Sequence, residues 1–240
     1  MSSTSDTDVR VSAFGTLIQM FTEPSQAFAA VEKRSMVWLP LLLTLFCTAI
    51  VTFWYYHSVD FAWLQDRMAA TIPDQAAREM AKEMMSKTTM QWSSVGGILI
   101  GMPLVYSIMA VYFLVVAKIQ KLEFGFAKWF SFSVWASVPG LLMLPLGAMQ
   151  ILMTQNGQLG FEQLNPVTLN QMFFHIEMGK PWASLLDSIS VMSVWSMVLM
   201  VVGFQTWAKS SRAKAIAVVM IPYGVIYGIW IIVSFMSKSV

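Results

Sequence analysis

Residues 118–150 read KIQKLEFGFAKWFSFSVWASVPGLLMLPLGAMQ. Lys118, Lys121 and Lys128 form a short basic connector. A charge-free run then opens at Trp129 and continues to about Leu152, with Pro139 and Pro145 inside it. At about 1.5 Å per helical residue it is long enough to cross the ~30 Å hydrocarbon core of a bilayer. Two more such runs precede it and two follow. It is therefore the middle of five spans, and the chain reads as an all-α, polytopic membrane helical bundle.

The composition agrees. Of 240 residues, 57% are hydrophobic and 12% charged, about half the charge of an ordinary soluble domain. The mean hydropathy is +0.62. So little charge cannot cover a water-soluble core; lipid removes the need. The net charge of +2 gives no reason to expect nucleic acid as a partner. Cys47 is the single cysteine, which excludes an intrachain disulfide and a thiolate metal cluster.

Working outward, span two runs from about Val95 to Ala117 and contains Gly97-xxx-Gly101 and Pro103. Span four runs from about Ser188 to Trp207, with Asp187 placed to cap its N-terminus. Span five, about Ala215 to Phe235, contains Gly224-xxx-Gly228. Span one, Met36 to Tyr56, follows Glu32, Lys33 and Arg34 and has Trp38 and Trp54 near its ends, as an interfacial aromatic belt would place them. Small residues recur along these spans: Gly97 and Gly101; Ser133, Ser137 and Gly140 beside Pro139; Ser193, Ser196 and Gly203; Gly224 and Gly228. Such stripes serve close helix packing, or else line a cavity.

Between the spans the pattern changes. Residues 1–10 are polar and expected to be disordered. They lack the basic start, short apolar core and cleavage site of a secretory signal. Phe14, Leu17, Ile18, Phe21 and Phe28 suggest two short amphipathic helices, 11–21 and 24–33, split at Pro24. These would lie on the membrane surface; a linker of no fixed place is the alternative. The division expected is thus 1–10, an interfacial 11–35, and a membrane domain 36–240. In the 58–92 connector, Pro73-Asp74 starts a helix with Ala77, Met80, Ala81 and Met84 on one face, and Glu83 stands four residues before Lys87. The 153–186 connector has a turn at Asn165-Pro166, and Val167 to Met178 could form a short re-entrant or interfacial helix.

Lys and Arg set the orientation. The N-terminal arm has Arg10, Lys33 and Arg34. The two short connectors carry Lys118, Lys121 and Lys128, then Lys209, Arg212 and Lys214. The opposite side has Arg67, Arg78, Lys82 and Lys87 in a long connector, then Lys180 and Lys238. The short basic connectors place the N-terminus in the cytoplasm and the C-terminus outside.

Four stretches carry a resemblance: Phe21-Thr22-Glu23-Pro24-Ser25-Gln26-Ala27-Phe28; FAKWFSFSVWASVPGLL at 126–142; Leu164-Asn165-Pro166-Val167-Thr168-Leu169-Asn170; and GFQTWAKSSRAKAIAVVMIPYGVIYGIW at 203–230. In this order and spacing they resemble the Yip (Ypt-interacting protein) family, particularly its bacterial members, from about residue 14 to 235. The resemblance implies five spans, a cytoplasmic N-terminus and residence in a bacterial cytoplasmic (inner) membrane. Eukaryotic members carry an acidic Asp-Leu-Tyr-Gly-Pro-like motif and a longer N-terminal domain. This sequence has neither, so binding of Rab-type GTPases does not carry over.

Chemistry-bearing motifs are missing. There is no H-E-x-x-H, no G-x-S-x-G, no phosphate-binding glycine loop and no dinucleotide fingerprint. No carboxylate falls inside a span, and His57 and His175 stand apart at span edges. The expectation is a protein with no catalytic residue, metal or cofactor. It would act as a scaffold or adaptor for membrane partners or membrane organisation. The alternative is a permease, channel or lipid-handling protein with a neutral pathway along the serine faces and prolines. Expected partners are membrane lipids, other membrane proteins and, as a homo-oligomer, further copies of the chain.

Overall fold

Short polar side chains start most of the helices. Ser12 Oγ accepts from Gly15 N–H at 3.0 Å and opens α1 (Ala13–Thr22). Pro24 occupies the first position of α2 (Pro24–Lys33), where its missing N–H costs nothing. Asp60 and Asp74 accept from Trp63 and Ala77 N–H and cap α4 (Phe61–Ala69) and α5 (Gln75–Met84). Ser86 opens α6 (Lys87–Ile119), and Ser190 with Ser193 forms a capping box for α10 (Val191–Ala208). The remaining helices are α3 (Trp38–Ser58), α7 (Phe126–Ala136), α8 (Met143–Met153), α9 (Ala183–Ser188) and α11 (Arg212–Met236).

These assignments come from a computed structural model that describes residues 12–236. The expected disorder of 1–10 lies outside the described residues. Among the described residues there are eleven α-helices and no strand, apart from one isolated bridge between Thr168 and Ser190. Five segments are long and apolar enough to cross a membrane: Trp38–Ser58, Lys87–Ile119, Phe126–Met153, Val191–Ala208 and Arg212–Met236. The chain is an all-α polytopic bundle.

Span three is not one helix. Proline has no N–H and its ring clashes with the preceding turn. At Pro139 the chain tightens into a 3-10 turn, Val138–Leu142, between α7 and α8. Pro145 falls in the first turn of α8, where it is tolerated. Pro103 and Pro222 stay inside continuous helices.

The core lies where α2, α6, α7 and α10 meet. Phe28, Phe113, Trp129, Phe132, Phe204 and Trp207 are sealed from solvent there. Phe113 and Phe132 rings stand 4.9 Å apart edge to face, and Trp129 stacks on Phe113 at 5.4 Å, arrangements that suit the aromatic quadrupole. Helix α2 is thus part of the bundle's packing, through Ala27, Phe28 and Val31. Helices α6 and α11 are peripheral: only 17% and 11% of their apolar windows are buried.

Several sequence expectations need correcting. Gly97, Gly101, Gly224 and Gly228 make no close contact within the chain; a Cβ at any of them would meet nothing within 4 Å. They sit on the two peripheral helices, so their faces are open. The close approach occurs instead at Gly203, where a Cβ would fall 2.7 Å from the rings of Phe28 and Phe132. Glu83 and Lys87 do not pair, because α5 ends at Met84 and Lys87 begins α6, where its Nζ donates to His57 O at 3.3 Å. Asp187 does not cap span four; Ser190 does, and Asp187 lies in α9. The helix expected over Val167–Met178 shrinks to one π-turn, Asn170–Phe174, ended by His175 in the left-handed region (φ 53).

Candidate functional site

The basic residues gather at one end of the bundle for a local reason. A helix C-terminus carries partial negative charge and unpaired carbonyls, which favour cations. Lys118 lies in the last turn of α6. Lys121 follows it with φ 59, and Leu122 N–H reaches back to Ala117 O at 2.9 Å, closing the helix in a Schellman manner. Lys209 ends α10 with φ 46. Lys128, on α7, donates its ammonium to the main-chain oxygen of Glu32 and to Val31 O at 3.5 Å, so it caps α2 from outside that helix. Arg212 and Lys214 differ. They occupy the first turn of α11, where the dipole disfavours positive charge by roughly 0.3–1 kcal/mol. Helix stability does not explain them.

Lys118, Lys121, Lys209, Arg212 and Lys214 are exposed, and Lys128 is half-buried by its capping role. Helix α1 packs against α2 and, through Phe21, against Trp195 near the start of α10. It buries Thr16 and Met20 and leaves Phe14 65% and Ile18 49% exposed, one turn apart. An apolar stripe on α1 is thus separate from the five exposed cations that stand at one end of the bundle. Trp207 Nε1 donates to Phe28 O at 2.9 Å and fastens α2 to α10.

The serines are not gathered into one wall. Ser133 is fully buried, and its hydroxyl donates to Trp129 O at 3.0 Å within its own helix. Ser137 donates to Val134 O at 2.7 Å and lies 2.9 Å from Tyr106 Oη. Ser193 is engaged in the capping box and Ser196 is half-buried on α10. Pro139 is buried in the 3-10 turn. Gly97 and Gly101 do border a groove of about 480 Å³ along α6, together with Ser94, Tyr106 and Phe161.

At the opposite end, the two long connectors form a single cap. Tyr55 Oη donates to Leu159 O and Asp60 N–H to Gly157 O, both at 2.9 Å. Gly157 has φ +66, and a Cβ there would lie 2.8 Å from Ser58 O and Asp60 N, so only glycine fits. Arg67 pairs with Glu162 across the connectors and lies over the Trp63 ring at 5.1 Å. Asp187 accepts from Asn170 Nδ2 at 3.1 Å, Thr168 Oγ1 at 3.3 Å and Gln171 Nε2 at 3.4 Å. Lys82, on α5, meets Asp66 at 2.8 Å and Glu79 at 3.5 Å; the hydrogen bond to Asp66 raises its pKa above the ordinary 10.5. Apart from Lys82–Glu79, an i,i+3 pair on α5, none of these pairings follows a local sequence period.

A family model described as the Yip1 domain matches residues 18–233. The chain belongs to the Yip1 domain family. The match begins inside α1 and ends in the last turn of α11, so it takes in the N-terminal helices with the five spans. No curated protein and no solved structure matches the chain. In this chain the matched region is an integral membrane unit in which α2 shares its core with α6, α7, α10 and α11. Among the described residues no group of three or more His, Cys, Asp or Glu side chains could hold a metal ion.

Proposed function

We propose that this Yip1 domain protein is a non-enzymatic scaffold or adaptor. It sits in the cytoplasmic membrane with its N-terminus and basic connectors on the cytoplasmic side and its C-terminus outside. The observation that carries the reading is the fixed face at the basic end. Helix α2 is held by the Trp207–Phe28 bond and by Lys128, and at that end five basic side chains are exposed, while Phe14 and Ile18 are exposed on α1. Each basic residue near an anionic surface contributes about 1 kcal/mol, enough in sum to dock on lipid headgroups or an acidic partner without a deep pocket. Partner membrane proteins, lipids and a second copy meeting the open glycine faces are the associations expected.

A neutral pathway for solute or lipid is the competing reading. It draws on α7, where Trp129 Nε1, Ser131 Oγ and Trp135 Nε1 are buried without a hydrogen-bond partner among the described residues, next to the break at Pro139. Purified protein in sealed liposomes separates the two. The scaffold reading expects no tracer or lipid movement above the empty-liposome background. Movement that falls when Ser133 and Ser137 are both replaced by Ala, in protein that still folds, contradicts it.

A further inference from the structure

The outer cap contains a cleft that the scaffold role does not use. It lies between α4 and the turn at residues 177–180 and holds about 420 Å³, within the usual ~300–1,000 Å³ of small-ligand sites. Trp63, Arg67, Thr71, Glu177 and Lys180 line it.

The turn is held in place. Gly179 has φ +86 and sits so close to Thr71 that a Cβ would meet its Cγ2 at 2.8 Å. Lys180 N–H donates to Glu177 O at 3.2 Å. Glu177 and Lys180 are therefore presented on one short turn, both exposed and neither in an ion pair among the described residues. Arg67 faces the same cleft, with Glu162 as its partner behind.

The charges select the ligand. Arg67 and Lys180 balance Glu162 and Glu177, so the site as a whole is neutral but divided. A simple anion would meet Glu177, and a simple cation would meet Lys180 and Arg67. A molecule carrying both charges a few bonds apart satisfies each side. The level of the cleft fits a lipid headgroup. Helix α4 begins just beyond the end of α3 at Ser58. The 177–182 segment is tied to the far end of α11, where Ser234 Oγ donates to Pro181 O at 3.1 Å and Trp182 packs on Phe235 at 5.0 Å. Both walls thus connect to span ends, and Trp63 and Trp182 beside them are of the residue type that favours a membrane interface.

We propose that this cleft binds the phosphoethanolamine zwitterion, with the phosphate against Lys180 and Arg67 and the ammonium against Glu177. A primary ammonium donates hydrogen bonds to a carboxylate; the quaternary ammonium of choline has no N–H to donate. The site therefore discriminates ethanolamine from choline headgroups. The same chemistry exists in a bilayer lipid and in a soluble glycerophosphodiester.

The test uses the full chain in nanodiscs holding equal parts of phosphatidylethanolamine and phosphatidylcholine with identical acyl chains. Lipids retained after detergent release are identified by native mass spectrometry. The expected result is retention of phosphatidylethanolamine over phosphatidylcholine by roughly fivefold, the worth of about one hydrogen bond. Glu177→Gln should abolish that preference, and Lys180→Met should reduce retention of both lipids, with melting temperatures unchanged. Binding of sn-glycero-3-phosphoethanolamine to delipidated protein, lost in Glu177→Gln, supports the same site with a soluble ligand as its source. Retention at the input ratio with no binding of the soluble compound overturns the proposal. So does a preference that both variants keep.

Discussion

Trp207, near the end of α10, donates its indole N–H to the main-chain oxygen of Phe28 in α2 at 2.9 Å, across 179 residues of sequence. Both side chains are sealed in the aromatic core. The bond makes the N-terminal helices part of the bundle. Trp207→Phe retains a ring but removes the donor and leaves a buried carbonyl short of a partner. The expected cost is about 1 kcal/mol, read as a lower melting temperature in detergent. Residues 13–33 should also be cleaved faster by protease in the variant.

Gly203 makes the second prediction. A Cβ at this position would lie 2.7 Å from rings of both Phe28 and Phe132, so Gly203→Ala forces one of two packed aromatics to move. Overpacking of this kind costs about 1–3 kcal/mol. Gly101→Leu and Gly228→Leu meet open space and should leave the protomer's melting temperature unchanged. Light scattering of the same two variants reads whether those faces meet a second copy. A melting loss at Gly101→Leu equal to that at Gly203→Ala would contradict the packing described.

Lys82 gives a pH dependence. Its pKa is raised by the hydrogen bond to Asp66 and by the charges of Asp66 and Glu79. A group whose folded pKa lies above its unfolded value stabilises fully below the unfolded value, and loses that contribution as pH rises through the folded one. The melting difference between the native protein and Lys82→Met should therefore stay constant from neutral pH up to the ordinary lysine value of 10.5 and shrink only above it. The pair is exposed, so the difference itself is small. A difference that changes between pH 6 and 9 would assign the effect to another group, on the scale of ordinary titrations.

Orientation is tested with cysteines introduced at Gln120 and Ser211 in a Cys47-free background. Both positions lie in the short basic connectors. An impermeant thiol reagent added to intact cells should label neither, and both should react once the membrane is opened. Labelling of both in intact cells reverses the topology.

Much of the fold was legible because lipid makes it so. A spanning segment must satisfy its backbone internally and present apolar side chains outward, so the five runs show in hydropathy alone. Asp74 and Pro24 announced their helices through local capping chemistry. Glycine spacing at Gly97, Gly101, Gly224 and Gly228 marks no close approach within the chain, and Gly97 and Gly101 border a groove instead; small residues are frequent in membrane helices. The family's Phe28 was visible as a motif residue, but its bond to Trp207 was not. Neither was the Arg67–Glu162 pair, the Asp187 cluster or the capping of α2 by Lys128. Each joins residues distant in sequence, and no period in a single chain encodes that. The basic connectors were legible as topology markers and as a charged face; the role of Lys118, Lys121 and Lys209 at helix C-termini appears only once the helix ends are placed.

The central claim is that the protein acts by association at its basic face. Site-specific photocrosslinking in native membranes tests it most directly, with the reactive residue at Lys121 in the basic connector or at Phe14 on the exposed stripe of α1. The account predicts a discrete protein adduct at both positions, weakened when Lys118, Arg212 and Lys214 are replaced together by Gln. No discrete adduct at either position, or adducts unchanged by that triple substitution, would contradict it.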